Sequence, residues 1–149
     1  PYTTLFRSGA VYFPDKNKVE TIIMKWGYPS PNGKLVINAR SETVFHSFFF
    51  SGSRTCVLPA TSYFEWSKDK VRYRFFTDEQ PFYLCGVCRK FNDELCYVIL
   101  TEPAGTPQNA IHERQPVILS YEDAKKWCAS RHPTSLLQNS ISERSMSRA

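Results

Sequence analysis

Phe82-Tyr83-Leu84-Cys85-Gly86-Val87-Cys88-Arg89-Lys90-Phe91-Asn92-Asp93-Glu94-Leu95-Cys96-Tyr97-Val98-Ile99-Leu100 is the stretch whose reading decides the fold. Two apolar runs, residues 82–89 and 95–100, flank the turn-forming pair Asn92-Asp93. Such a pattern predicts a β-hairpin. Working outward, residues 19–26 (VETIIMKW) are rich in β-branched side chains and read as a strand. Residues 29–33 (PSPNG) read as a turn, and residues 35–37 as a short strand that delivers Asn38. Residues 56–58 and 64–66 are two more strands. Residues 67–70 form a hairpin turn into residues 71–76, where Arg72 and Arg74 alternate with other side chains. Residues 106–111 read as a loop or short helix, and residues 117–119 as a last strand.

Two segments carry helical signals. Residues 121–129 follow Ser120 as N-cap and place Glu122 and Asp123 in the first turn. In residues 41–50, Ser41 is a candidate cap with Glu42 behind it, and Phe45, Phe48 and Phe49 fall at i, i+3 and i+4. Many short strands and few helices, without strand–helix alternation, predict an α+β domain. Its sheet is expected to be strongly bent, barrel-like and mainly antiparallel, with a few flanking helices.

The chain has 149 residues, 42% of them hydrophobic and 15% aromatic, with a net charge of +5. That fits one domain with a real core and is unlike a disordered chain. The basic bias suits a phosphate-bearing partner. The five cysteines are an odd number, which argues against a secreted disulfide framework. No apolar run reaches the ~18 residues of a membrane span. Cys85-Gly86-Val87-Cys88 has dithiol or zinc spacing, but on a strand an offset of three sends the two sulfurs to opposite faces. Neither a metal nor a cofactor is expected.

Residues 1–8 (PYTTLFRS) spell the translation of a sequencing adapter, CCC TAC ACG ACG CTC TTC CGA TCT. They are expected to be an artefact joined to a truncated reading frame, and natural sequence is expected from Gly9 on. Residues 9–133 form the expected domain. Residues 134–149, rich in Ser, Gln and Arg, are expected to be a poorly ordered tail.

Four segments carry the candidate chemistry: Trp26-Gly27; Val36-Ile37-Asn38-Ala39-Arg40-Ser41-Glu42-Thr43; Cys56-Val57-Leu58-Pro59-Ala60 leading into Tyr63-Phe64-Glu65-Trp66; and Ile111-His112-Glu113-Arg114-Gln115-Pro116-Val117-Ile118-Leu119. Singly, each group has a bland alternative. Glu65 is either solvent-facing or held against apolar walls that would raise its pKa. His112 is a surface imidazole or a proton carrier, Arg114 an ion-pair partner or a phosphate ligand, Asn38 a turn amide and Arg40 a surface cation.

Taken in order, the four segments resemble the SOS-response-associated peptidase (SRAP) family, whose motifs read approximately INARxET, RCLVPAxGFYEW and IHDRMPVIL with a WG segment upstream. The resemblance runs from about residue 22 to residue 127, and it implies a sensor and shield for abasic sites in single-stranded DNA. In that family a cysteine directly after the initiator methionine becomes the N-terminus by autocatalytic removal of that methionine. Its α-amine attacks the aldehyde of the ring-opened sugar and its thiol closes a thiazolidine ring.

The resemblance implies catalytic roles for Asn38, Glu65 and His112. It implies DNA contacts for Trp26, Arg40, Trp66, Thr101 and Arg114. It also implies autopeptidase and lyase activity, a bacterial cytoplasmic, nucleoid-associated location, single-stranded DNA as partner, a monomer, and no membrane. Departures stand beside it. Ser62 replaces Gly, Phe64 replaces Tyr, and Glu113 and Gln115 replace Asp and Met. Residues 45–53 (FHSFFFSGS) lack the Lys and Arg that relatives carry there. The N-terminal cysteine is absent as well, so the chain as written is not expected to form the adduct. The alternatives are a single-stranded DNA-binding module without crosslinking, and a true peptidase acting on other proteins.

Overall fold

A computed structural model describes the backbone of residues 8–15, 18–131 and 133–149, with side chains described from Thr21 onward except at position 132. The expected adapter segment falls on residues 1–7, outside the described residues, except for Ser8. Thirteen strands are present among them: β1 (Ser8–Asp15), β2 (Lys18–Trp26), β3 (Tyr28–Pro29), β4 (Leu35–Val36), β5 (Asn38–Arg40), β6 (Arg54–Ala60), β7 (Tyr63–Trp66), β8 (Arg72–Phe76), β9 (Phe82–Phe91), β10 (Glu94–Pro103), β11 (Arg114–Pro116), β12 (Ile118–Leu119) and β13 (Ser145–Arg148). One α-helix, α1 (Tyr121–Ala129), and several short 3-10 turns complete a mixed α+β fold that is mostly strand.

β10 organises the large sheet. Its residues 94–99 pair antiparallel with β9, and residues 101–103 pair antiparallel with β11. On the opposite edge β2 pairs in parallel at Tyr97↔Trp26, and β5 at Ile99↔Asn38 and Thr101↔Arg40. The edges are opposite because Ile99 pairs with both Gly86 and Asn38. β1 joins β2 to β6, β6 pairs with β9, and β12 lies on the far edge of β9. The expected hairpin closes at Asn92 and Asp93, both with positive φ (47° and 67°), a conformation that Asn and Asp tolerate better than most residues.

A regular closed barrel is not supported. The ladder between β1 and β6 is a single residue pair and that between β10 and β2 is two. Two small sheets, β13-β8-β7 and β3-β4, stand apart from the main one.

Alternation along β9 and β10 sorts the core into two layers. Tyr83, Cys85, Val87, Cys96, Val98 and Leu100 face one way, against Trp127 and Cys128 of α1. Phe82, Leu84, Cys88, Tyr97 and Ile99 face the other, with Met24 and Cys56. Cys85 and Cys88 therefore lie on opposite faces, as the strand reading requires. Helix α1 matches its expected bounds, and Ser120 Oγ accepts the Asp123 N–H at 3.3 Å. The Trp127 indole N–H donates to the carbonyls of Cys56 (3.0 Å) and Gly86 (3.3 Å), which pins the helix to the sheet.

Two expectations are corrected. Residues 41–50 form two 3-10 turns, Val44–His46 and Phe48–Phe50, rather than a helix. Ser41 spends its hydroxyl on Glu42, and Phe48 is 95% exposed while Phe45 and Phe49 pack on Trp127 and Tyr28. The three rings thus share no face. Residues 134–149 are not a loose tail. Leu136, Leu137 and Ile141 pack against the core layers, β13 pairs with β8, and Arg144 is buried on Tyr63 and Glu102.

Gly86 is required by close approach, since a Cβ there would lie 2.7 Å from the Val98 carbonyl oxygen and 3.1 Å from Cys56 Sγ. Gly86→Ala is expected to lower unfolding free energy by about 1–3 kcal/mol, as overpacked cores do. Gly105→Ala, where a Cβ meets nothing within 4 Å, is expected to stay within about 0.5 kcal/mol. Urea unfolding of both variants checks the contrast.

Candidate active site and nucleic-acid face

Register places five of the sequence-predicted residues on one face of the main sheet. Ile99 and Tyr97 belong to the layer containing Met24 and Cys56, so side chains paired with β10 at those positions share that side. Asn38 lies beside Ile99, Arg40 beside Thr101, and Trp26 beside Tyr97. Arg114, two residues before Pro116, which pairs with Thr101, returns to the same side. Between Asn38 and Arg40, Ala39 points the opposite way into the helix-side core. Asn38 and Arg40 are consequently exposed at the strand end, and Arg40 makes no ion pair or side-chain hydrogen bond among the described residues.

Trp26 is half-buried, and its indole N–H donates to the Ile37 carbonyl at 3.0 Å. That bond fixes the ring beside the segment that delivers Asn38. Gly27 follows with φ +106°, and a Cβ on it would meet Leu35 at 3.2 Å, so the chain can turn sharply after Trp26.

Arg114 is held on three sides. It grips Glu42 in a two-point fork, with both N···O distances 2.7 Å. It also donates to the Thr101 carbonyl at 2.8 Å and to the Thr101 hydroxyl at 3.2 and 3.3 Å. Such a fork is strong and directional. The guanidinium expected to take a DNA phosphate is thus engaged with protein, and it acts here as a tie between the segment after β5, β10 and β11. The Arg114 hydrogen bond holds the Glu42 carboxyl down at about 2. In the sequence Glu42 stands behind a candidate helix cap and within the second motif segment, with no role or partner assigned. Its partner lies 72 residues away, a distance no local pattern reports.

Glu65 behaves in the opposite sense. Strand alternation turns Tyr63 and Glu65 inward while Phe64 and Trp66 face outward. Burial raises the Glu65 carboxyl above its usual range, and the nearby His112 offsets part of that. His112 is exposed, and its Nδ1 lies 3.1 Å from the Arg114 backbone N–H and 3.0 Å from the Arg114 carbonyl oxygen. In either tautomer the ring is pinned to the backbone. Nε2 has no partner among the described residues. Glu65 and His112 are therefore a desolvated carboxyl and a partly freed imidazole within electrostatic reach, suited to moving protons. Trp66 is not on this face, because it is on the outer side of β7.

A cavity of about 410 Å³ lies elsewhere, on the helix side, lined by Val44, Phe45, His46, Phe48, Ser51 and Val87 among others. None of the predicted site residues lines it. Among the described residues no cluster of His, Cys, Asp and Glu is arranged to hold a metal ion. No helix is long and apolar enough to cross a membrane.

The model of the family described as SOS response associated peptidase (SRAP) matches residues 4–148. The chain belongs to the SRAP family. Abasic site processing protein YoaM of Bacillus subtilis is 32% identical over 120 residues, covering 71% of this chain and 52% of its own length. YobE of the same organism, also named an abasic site processing protein, is 32% identical over 124 residues, covering 70% of this chain and 56% of its own. YedK of Escherichia coli, named likewise, is 29% identical over 117 residues, covering 68% and 52%. The chain spans about half the length of these curated relatives. A crystal structure of a phage-related protein of Bordetella bronchiseptica shares the fold, with a TM-score of 0.76 at 20% identity over 96% of this chain and 78% of that one.

The two carboxyls give opposite pH signatures. The Glu42 carboxyl, lowered to about 2, contributes stability above its unfolded value, and that contribution is lost as pH falls toward 2. Arg114→Ala should return its midpoint toward the ordinary carboxylate range. Glu65, raised, favours its protonated form in the fold, so its contribution fades as pH rises through its folded value. His112→Ala removes the influence that lowers Glu65 and should move its midpoint further up. Carboxyl ¹³C NMR titration of the parent and both variants reads each shift directly.

Proposed function

We propose that this SRAP domain recognises abasic sites in single-stranded DNA. With an N-terminal cysteine in place it captures them as a thiazolidine crosslink. The reading is carried by a desolvated Glu65 within electrostatic reach of His112, together with the strand pairing that sets Asn38 beside Ile99 and Arg40 beside Thr101.

A neutral α-amine adds to the aldehyde carbon of the open sugar, forming a C–N bond. The carbonyl oxygen takes two protons and leaves as water, giving an imine. The thiol sulfur then adds to the imine carbon while its proton passes to nitrogen, closing the ring. Glu65 accepts the proton that frees the amine, and burial, which raises its carboxyl above the usual range, makes it a better proton acceptor than an ordinary carboxylate. His112 carries protons to and from the sugar oxygens. Asn38 orients the N-terminal residue, Arg40 grips a backbone phosphate, and Trp26 stacks on an exposed base. Thr101 and Arg114 shape the floor beside the lesion. The same Glu65 and His112 serve removal of the initiator methionine, and the lyase activity belongs to the same site.

The experiment supplies the nucleophile by starting this chain with Met-Cys. Incubation with an abasic single-stranded oligonucleotide is expected to give a shifted band on a denaturing gel. Glu65→Ala and His112→Ala should slow capture by about 10² or more, the usual weight of general acid–base groups. Arg40→Ala should weaken DNA binding about 10-fold, within the range of a charge-assisted phosphate contact. Normal capture by all three variants would sink the assignment of these residues. Reversible binding without a shifted band would favour a module that binds without crosslinking.

A further inference from the structure

Arg144 stands where the small sheet meets the main one. Its backbone runs directly into β13, which pairs with β8 of the small sheet. Its side chain, with no exposed surface, reaches the main sheet instead. Nε donates to the Ile141 carbonyl at 2.9 Å, Nη1 to the Tyr63 hydroxyl at 3.0 Å, and Nη2 to Glu102 Oε1 at 3.4 Å. Glu102 Oε1 also accepts from the Ser140 hydroxyl and, at 3.4 Å, from the Gln115 side-chain amide. Tyr63 lies on β7, two residues before Glu65 and on the same face.

We propose that Arg144 is a positioning residue for Glu65, fixing through Tyr63 where the carboxyl meets His112. The proposal rests on the reading above for the work that Glu65 does. Arg144 is closed off from solvent, so it touches no substrate and acts only through Tyr63.

Among the described residues, β7 shares no backbone ladder with β10 or β11. His112 is fixed to the main sheet, because its Nδ1 is held by the Arg114 backbone. Glu65 approaches it from the small sheet. Their separation is therefore set by whatever couples the two sheets. The short link at Thr61-Ser62 ties β6 to β7 at one end only. Arg144 supplies a second tie, and both of its ends lie close to the pair. One end is Tyr63. The other is Glu102, which pairs with Gln115, and these two are the chain neighbours of Thr101 and Arg114. Tyr63 lies flat on Phe75, with ring centres 5.0 Å and planes 9° apart, so a pull on its hydroxyl is carried to β7 rather than spent in swinging the ring. The guanidinium is a planar fork, so the tie sets direction as well as distance. Misplacing a reacting group by roughly 1 Å is enough to cost about 10²-fold in rate.

Tyr63→Phe keeps the ring stack and the Arg144–Glu102 pair and removes only the tie. Arg144→Lys keeps the buried charge but loses the fork that serves three acceptors at once. Besides Tyr63, the titratable groups facing Glu65 are His112 and Tyr73, which lies opposite it on β8, with Arg148 of β13 opposite Tyr73. Neither variant alters a charge among them at neutral pH. Carboxyl ¹³C NMR titration of Glu65 reads its position, because burial is what raises this carboxyl. A loosened β7 admits water, which favours the charged form, so both variants should move the Glu65 midpoint down toward the ordinary carboxylate range. Gly86→Ala, which strains β9 and leaves the tie intact, should leave the midpoint in place. In the Met-Cys chain, Tyr63→Phe should slow capture at saturating abasic oligonucleotide about tenfold with Kd unchanged.

An unmoved Glu65 midpoint in folded Tyr63→Phe overturns the proposal. An equal movement in Gly86→Ala overturns it too, since that marks general loosening. Thermal melting establishes folding, and where Arg144→Lys does not fold, Tyr63→Phe decides alone. The two readings fail separately. A midpoint moved as expected, in a chain that never captures abasic DNA, leaves the positioning role standing and sinks the crosslinking reading. Capture at the parent rate by Tyr63→Phe, with its midpoint unmoved, sinks only the positioning role.

Discussion

The buried guanidinium of Arg144 is the constraint on which the placement of the site depends. Its side chain has no exposed surface. It donates to the Ile141 carbonyl at 2.9 Å, to the Tyr63 hydroxyl at 3.0 Å, and to Glu102 at 3.4 Å. Ser140 also donates to Glu102. A desolvated cation persists only when its donors and its charge are both answered, so these partners must be held together for the fold to close. β7 and β10 belong to different sheets and share no ladder. Arg144 joins them through side chains, from Tyr63 on β7 to Glu102 on β10. Glu65 sits two residues after Tyr63, so its depth is set by this link and by the Tyr63–Phe75 stack, whose ring centres are 5.0 Å apart.

Two glutamates of the same face are driven in opposite directions by different physics. Glu42 meets a two-point guanidinium fork and becomes a fixed anion. Glu65 meets apolar surroundings with only His112 to favour its charge, and remains a carboxyl that can hold a proton. The division assigns structure to one and proton exchange to the other. It also explains why Arg114 cannot serve both ends. A guanidinium saturated by Glu42 and Thr101 stiffens the floor of the site, while Arg40, exposed beside Thr101, keeps its donors available.

What the sequence disclosed follows from the range over which each signal acts. The hairpin around Asn92-Asp93 and helix α1 with its Ser120 cap are local events, governed by turn chemistry and capping, and both stand where expected. The motif segments carry Asn38, Arg40, Glu65 and His112 on short strands or just ahead of one, which is why their placement follows local pairing. The failures are tertiary. The apolar spacing in residues 41–50 looked helical, but Ser41 binds Glu42 and the rings are drawn to separate neighbours, Trp127 and Tyr28. The final segment looked too polar to pack, yet one arginine with three kinds of acceptor and a ladder to β8 hold it. A cation reads as surface in a sequence, and only its acceptors reveal that it is core. Strand β1 is not among the strands read from the sequence.

β10 shows why residues as far apart in sequence as Trp26 and Arg114 meet. One edge of this strand receives β2 and then β5, both in parallel, while the other receives β9 and then β11. The chain leaves β2 at Trp26, turns through Gly27 and β3–β4, and re-enters along the same edge at Asn38. β11 arrives opposite it at Thr101. β5 and β11 therefore meet across Thr101 near the end of one strand, with β2 ending beside Tyr97, and backbone pairing sets their spacing while the Arg114 fork ties them together. Asn38 and Arg40 are exposed for the same reason that Ala39 is buried, since pleating must alternate. The arrangement of the functional side chains is thus a consequence of main-chain pairing. It leaves their chemistry to be tuned by the two groups that reach in from outside the sheet, Glu65 from β7 and His112 from the turn ahead of β11.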